Sequence, residues 1–120
     1  MLALWGKAFA MTITLETPLY ILGLRQVIGV LRTLVASLLV NLVTHPLVWF
    51  VLPRLFPEQV HYALASEALA ITVEALMLAG ACRLLRAPQR SWVWFFGLSF
   101  LVNAASAILG QIGFLMLGSL

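Results

Sequence analysis

Four long apolar stretches alternate with short breaks rich in arginine and proline. Their spacing predicts helices over about 3–24, 32–52, 62–82 and 92–118. The breaks, at 25–32 (RQVIGVLR), 53–61 (PRLFPEQVH) and 83–90 (RLLRAPQR), are short enough that consecutive helices must run antiparallel. The expected fold class is therefore all-α: an integral membrane four-helix bundle forming a single transmembrane domain over 1–120.

Composition sharpens this picture. The chain has 120 residues, of which 63% are hydrophobic and 9% charged, against about 45–50% and about 25% in an ordinary soluble domain. A soluble globule, a disordered segment and a collagen-like chain are all excluded. The single cysteine, Cys82, rules out an intrachain disulfide framework.

The few charges set an expected orientation. Arg25, Arg32, Arg83, Arg86 and Arg90 fall on one side, against Lys7 and Arg54 on the other. The positive-inside rule makes the arginine-rich side cytoplasmic and puts both termini outside, in a membrane of bacterial inner or plasma type. Trp5, Trp49 and Tyr62 then fall near the outer interface, and Trp92 and Trp94 near the inner one. Glu16 interrupts the run that a cleavable signal peptide would need, so none is expected.

The two halves, about 1–58 and 59–120, match in their rare residues. Ile13-Thr14-Leu15-Glu16 answers Ile71-Thr72-Val73-Glu74, Arg25 and Arg32 answer Arg83 and Arg90, and SLLVNLVT (Ser37 to Thr44) answers SFLVNAAS (Ser99 to Ser106). Leucines and valines match by chance in such a chain, but glutamate, arginine and asparagine do so rarely. The pattern predicts two parallel-repeat helical hairpins. Arg32 precedes Asn41 by nine residues and Arg90 precedes Asn103 by thirteen, a difference expected to appear as one extra turn at the start of the fourth helix.

Nine residues of helix rise about 13.5 Å, close to half of a hydrocarbon core, and counting nine from Arg25, Arg32, Arg83 and Trp94 places Glu16, Asn41, Glu74 and Asn103 near the midplane. Facing lipid there would cost each carboxylate at least about 2.5 kcal/mol, so the layer is expected to face inward. Thr44 and His45 follow Asn41 by three and four residues, and Ser106 follows Asn103 by three. Glu67 precedes Glu74 by two turns. Carboxylates and amide carbonyls are hard oxygen ligands for inorganic cations, and a desolvated carboxyl can instead carry a proton. The alternative is that the same groups are interhelical glue.

Pro18 and Pro46 each leave a helix carbonyl without its donor, and a packing kink is the simpler role for both. His45 with Glu16, Glu67 and Glu74 has the residue types of a transition-metal site, but no H-x-x-x-H or E-x-x-H spacing occurs, so neither a metal nor any other cofactor is expected. Ser99, Asn103, Ser106, Ala107, Gly110 and Gly113 form a small-residue stripe, expected to be a helix contact. Arg83, Arg86 and Arg90 suit anionic lipid, and nothing supports nucleic-acid binding.

In length, four spans and a glutamate midway along the first, the chain resembles in outline the small multidrug resistance exporters. The resemblance would make Glu16 a carboxylate that exchanges protons for cationic substrates. Glu67 and Glu74 are additional membrane acids that the family lacks, and its later aromatic and glycine motifs are missing. Small fluoride channels share only the size and span number. No family is assigned. The expectation is a small non-enzymatic transporter or channel for an inorganic cation or proton, with Glu16, Glu74, Asn41, Asn103, Thr44, Ser106, His45 and Glu67 along its path. It would work as a homodimer or with a larger membrane complex. The competing expectation is an accessory or assembly subunit of such a complex.

Overall fold

The computed structural model describes residues 2–88 and 90–118. Position 89 of the third connection and residues 119–120 of the expected second half lie outside the described residues. Among the described residues there are four long helices and no strand: α1 (Leu2–Leu24), α2 (Val30–Leu55), α3 (Gln59–Leu84) and α4 (Trp92–Gly118). Val30–Leu55, Gln59–Leu84 and Trp92–Gly113 are long and apolar enough to cross a membrane, which marks the chain as a membrane protein. The 23 residues of α1 make a rod about 35 Å long. Its apolar character is diluted by Lys7, Thr12, Thr14, Glu16 and Thr17.

Local chemistry sets the helix ends. Gly29, with φ 87°, occupies backbone space open to glycine just ahead of α2. At the end of α3, Arg86 takes the left-handed conformation (φ 55°), with Arg86 N–H donating to Arg83 O and Ala87 N–H to Cys82 O. These are the paired bonds of a Schellman cap, and Pro88 follows where a helix cannot continue. Inside α2 the ladder is α-helical over Val30–Pro46, widens to a π-helix over Leu47–Val51 and closes again over Leu52–Leu55. Pro46 cannot donate to Leu42 O nor Pro53 to Trp49 O, and the wide turn falls between these two gaps.

The helices form a closed square: α1 packs on α2 and α4, and α3 packs on the same two. Gly23 helps close the α1–α4 side, since a Cβ there would stand 2.6 Å from Leu98 Cδ1.

The two hairpins bury the same register. Glu16, Thr17, Tyr20 and Leu24 of α1 are buried, as are Glu74, Ala75, Leu78 and Cys82 of α3, each 58 residues on. Thr33, Ser37, Val40 and Asn41 of α2 are buried, as are Phe95, Ser99, Val102 and Asn103 of α4, each 62 residues on. α2 and α4 themselves begin 62 apart, at Val30 and Trp92. The four extra residues therefore lie ahead of α4, shared between a longer α3 and a longer connection, rather than adding a turn to α4 as the sequence suggested.

The core lies to one side of the Glu/Asn level. Tyr20, Leu24, Ile28, Val40, Ala75, Leu78, Ala79, Cys82, Phe95 and Val102 form one cluster, and along each helix they fall on the side of Glu16, Asn41, Glu74 or Asn103 that leads to the arginine-bearing connections. Cys82 is fully buried within it.

Candidate functional site

On the other side of that level the helices enclose an open cavity of about 450 Å³. Glu16, Asn41, Thr44, His45, Glu67, Glu74, Asn103 and Ser106 all line it, so the structure brings together the residues singled out from the sequence. Its base is the layer of Glu16, Asn41, Glu74 and Asn103, each at most 7% exposed. Its walls rise toward Met11 on α1, Val48 on α2, Ser66 on α3 and Gln111 on α4. Glu67, two turns above Glu74, is exposed at the rim. The small-residue stripe of α4 divides: Ser99 is buried in packing, whereas Ser106, Ala107 and Gly110 form cavity wall.

The amides at the base divide their donors. Asn41 Nδ2 donates to Ser37 O at 3.0 Å and Asn103 Nδ2 to Ser99 O at 2.9 Å. A backbone carbonyl can only accept, so one N–H of each amide is turned to its own helix, and the second is given to the neighbouring carboxyl, Glu16 for Asn41 and Glu74 for Asn103. Thr44 Oγ1 donates to Val40 O at 3.1 Å, and Ser99 Oγ to Ile71 O at 3.0 Å. The Tyr20 hydroxyl donates to Glu74 Oε1 at 2.7 Å. Below, Thr17 Oγ1 and Ser37 Oγ share a buried bond of 3.1 Å. The base thus divides its donors between helix carbonyls and the two carboxyls, Glu16 and Glu74.

Several buried polar atoms around the cavity have no partner: Glu16 Oε2, His45 Nδ1 and Ser66 Oγ. The Glu16 carboxyl has Asn41 and Ser106 as its near side-chain neighbours, and that of Glu74 has Asn103 beside Tyr20.

The His45 ring is held by Thr12 Oγ1, 3.3 Å from Nε2. It sits in an aromatic cluster with Phe9 (centroids 5.4 Å), Trp5 (6.1 Å) and Trp49 (6.2 Å). The π segment of α2 is tied to α3 where Tyr62 donates to Val48 O at 3.0 Å.

Tyr20 and Thr12 are site residues that the sequence reading missed. For Tyr20 a signal was present: it stands one turn from Glu16, on the same helix face. His61 is exposed and pairs with Glu58 at 3.1 Å, away from the cavity. Among the described residues no three His, Cys, Asp or Glu side chains are grouped to hold a metal ion. A second cavity, of about 330 Å³, lies at the arginine end, with Arg83, Arg90, Trp92 and Phe95 in its wall.

No protein-family model, curated protein or solved structure matches this chain.

Proposed function

We propose that the chain is an integral membrane four-helix bundle of two parallel-repeat hairpins that moves an inorganic cation or a proton through the cavity above Glu16 and Glu74. The observation that carries this reading is the acidic base: two buried carboxyls, Glu16 and Glu74, border one open cavity with Glu67 at its rim. Such a surface is complementary to a positive charge and repels an anion.

The repeat draws support from the matched burial of eight residue pairs, which extends the sequence match to positions that differ in identity, such as Tyr20 and Leu78. By the arginine asymmetry, the arginine end is cytoplasmic and the cavity opens toward the outside of a bacterial-type inner or plasma membrane. The packed core closes the arginine end, so a complete path requires either a second conformation or contributions from a second copy or partner subunit.

The chain acts without enzymatic chemistry. Thr12 and His45 form a hydroxyl–imidazole pair, but Nδ1 of the ring has no orienting partner.

The test is flux in proteoliposomes holding the purified chain, wild type against Glu16→Gln combined with Glu74→Gln. Loss of cation or proton flux in the double variant is expected. Undiminished flux with an intact fold overturns the reading. A second reading, an accessory subunit of a larger membrane complex, is favoured by the interhelical bonds Tyr20–Glu74 and Thr17–Ser37, which serve as glue whatever the cavity does. Co-purification of a stoichiometric larger partner, with an inactive isolated chain, would select it.

A further inference from the structure

The smaller cavity at the arginine end is basic at its mouth and apolar in its depth. Leu76, Gly80 and Arg83 follow one another a turn apart on one face of α3, and Arg90, Trp92 and Phe95 complete the wall from the start of α4. Arg83 and Arg90 are exposed, Phe95 is 1% exposed, and Leu76 lies two turns deeper than Arg83, about 10.5 Å along the helix. None of the four acids of the chain neutralises that mouth: Glu16, Glu67 and Glu74 border the main cavity and Glu58 pairs with His61. The Trp94 ring, 5.5 Å from Arg90 Cζ, holds one guanidinium in place.

Gly80 opens the groove. Glycine is a poor residue for a helix interior, and no neighbour demands one here, since a Cβ at Gly80 would meet nothing within 4 Å. The first hairpin is an internal comparison. Leu22 and Arg25 stand 58 residues before Gly80 and Arg83, and two residues ahead of α2, where Arg90 precedes α4, stands Ile28, 7% exposed. The first hairpin thus keeps one arginine, has a side chain at the position of the gap and puts a buried apolar residue in place of the second arginine. The notch belongs to the second hairpin and not to the shared fold.

A ligand that matches this notch has anionic oxygens at one end and hydrocarbon at the other. Two guanidiniums suit the oxygens of one phosphate, and a headgroup with its own ammonium would bring a like charge beside them. Leu76 is 49% and Trp92 54% exposed, so the groove opens on the outer face of the bundle, which in a membrane meets lipid.

We propose that the notch binds one anionic phospholipid per chain: Arg83 and Arg90 share its phosphate, and the first part of one acyl chain lies over Gly80 against Leu76 and Phe95. The packed core separates this site from the cavity above Glu16 and Glu74, and its occupancy is independent of what that cavity carries.

The experiment is native mass spectrometry of the purified full chain, with phosphatidylglycerol and phosphatidylcholine of identical acyl chains added in equal amounts. One phosphatidylglycerol is expected to stay on the chain under activation that strips phosphatidylcholine. Arg90→Gln weakens retention about fivefold, the worth of one arginine near an anionic headgroup. Gly80→Leu fills the groove with a good helix former, leaves every charge in place and weakens retention several-fold. Arg25→Gln, which removes the matching charge of the first hairpin, leaves retention unchanged.

Equal retention of the two lipids overturns the assignment. So does an equal loss in Arg25→Gln and Arg90→Gln, which marks diffuse surface charge in place of a site. Loss in Arg90→Gln with none in Gly80→Leu overturns it too, because the arginines would then hold a phosphate with no groove for its lipid.

Discussion

Tyr20 on α1 gives its hydroxyl to Glu74 on α3 at 2.7 Å, joining the two hairpins across the floor of the cavity, while Leu78 gives Glu16 nothing in return. This one-sided bond makes the two glutamates unequal in what they contribute to stability. Tyr20→Phe is expected to destabilise the bundle by about 1 kcal/mol, within the range of interhelical bonds in membranes. Glu16→Gln is expected to be neutral or stabilising, because it removes a buried charge beside Glu74 while the amide oxygen can still accept from Asn41 and Ser106. Reversible unfolding in mixed micelles measures both. Equal losses in the two variants would contradict the asymmetry.

Much of this arrangement was legible in the sequence, and for a physical reason. Polar side chains are so costly inside a membrane that Glu16, Asn41, Glu74 and Asn103 had to face one another, and counting turns from three arginines and Trp94 placed them at one depth. What could not be read was how the less polar positions rotate about each helix axis. These helices are apolar nearly all round, so no stripe marks which way Thr12 turns, and Glu67 proved to be exposed at the rim although it shares a face with Glu74. The small residues of α4 misled for the same reason: Ala107 and Gly110 look alike whether they meet a helix or border a cavity. The π segment needed both prolines to be read together, since neither Pro46 nor Pro53 alone implies it.

Burial of Cys82 changes how the orientation must be tested. By sequence the thiol sits near the arginine end and should react from the cytoplasmic side, but it is fully enclosed in the core. A membrane-impermeant maleimide is therefore expected to leave it unmodified from either side while the chain is folded. Arg86, exposed in the cap after α3, is the better reporter: Arg86→Cys should be labelled in opened vesicles or permeabilised cells and protected in intact cells. Labelling in intact cells would reverse the orientation.

At the arginine end, the guanidinium of Arg90 stands 5.5 Å from the Trp94 ring centroid, and Arg90 also joins Arg83 in the wall of the smaller cavity. An aromatic ring fixing one arginine beside another makes a basic notch, which the proposed orientation puts level with the phosphate headgroups, and each arginine near an anionic surface is worth about 1 kcal/mol. Arg83→Gln with Arg90→Gln should reduce the enrichment of anionic over zwitterionic lipid around the purified chain several-fold, read by spin-labelled lipid or native mass spectrometry. The stability cost of Tyr20→Phe should be unchanged in that background, because the packed core separates this notch from the cavity base. A changed cost would mean that the two ends of the bundle are coupled, and the packed half of the molecule would then have to be a moving part rather than a plug.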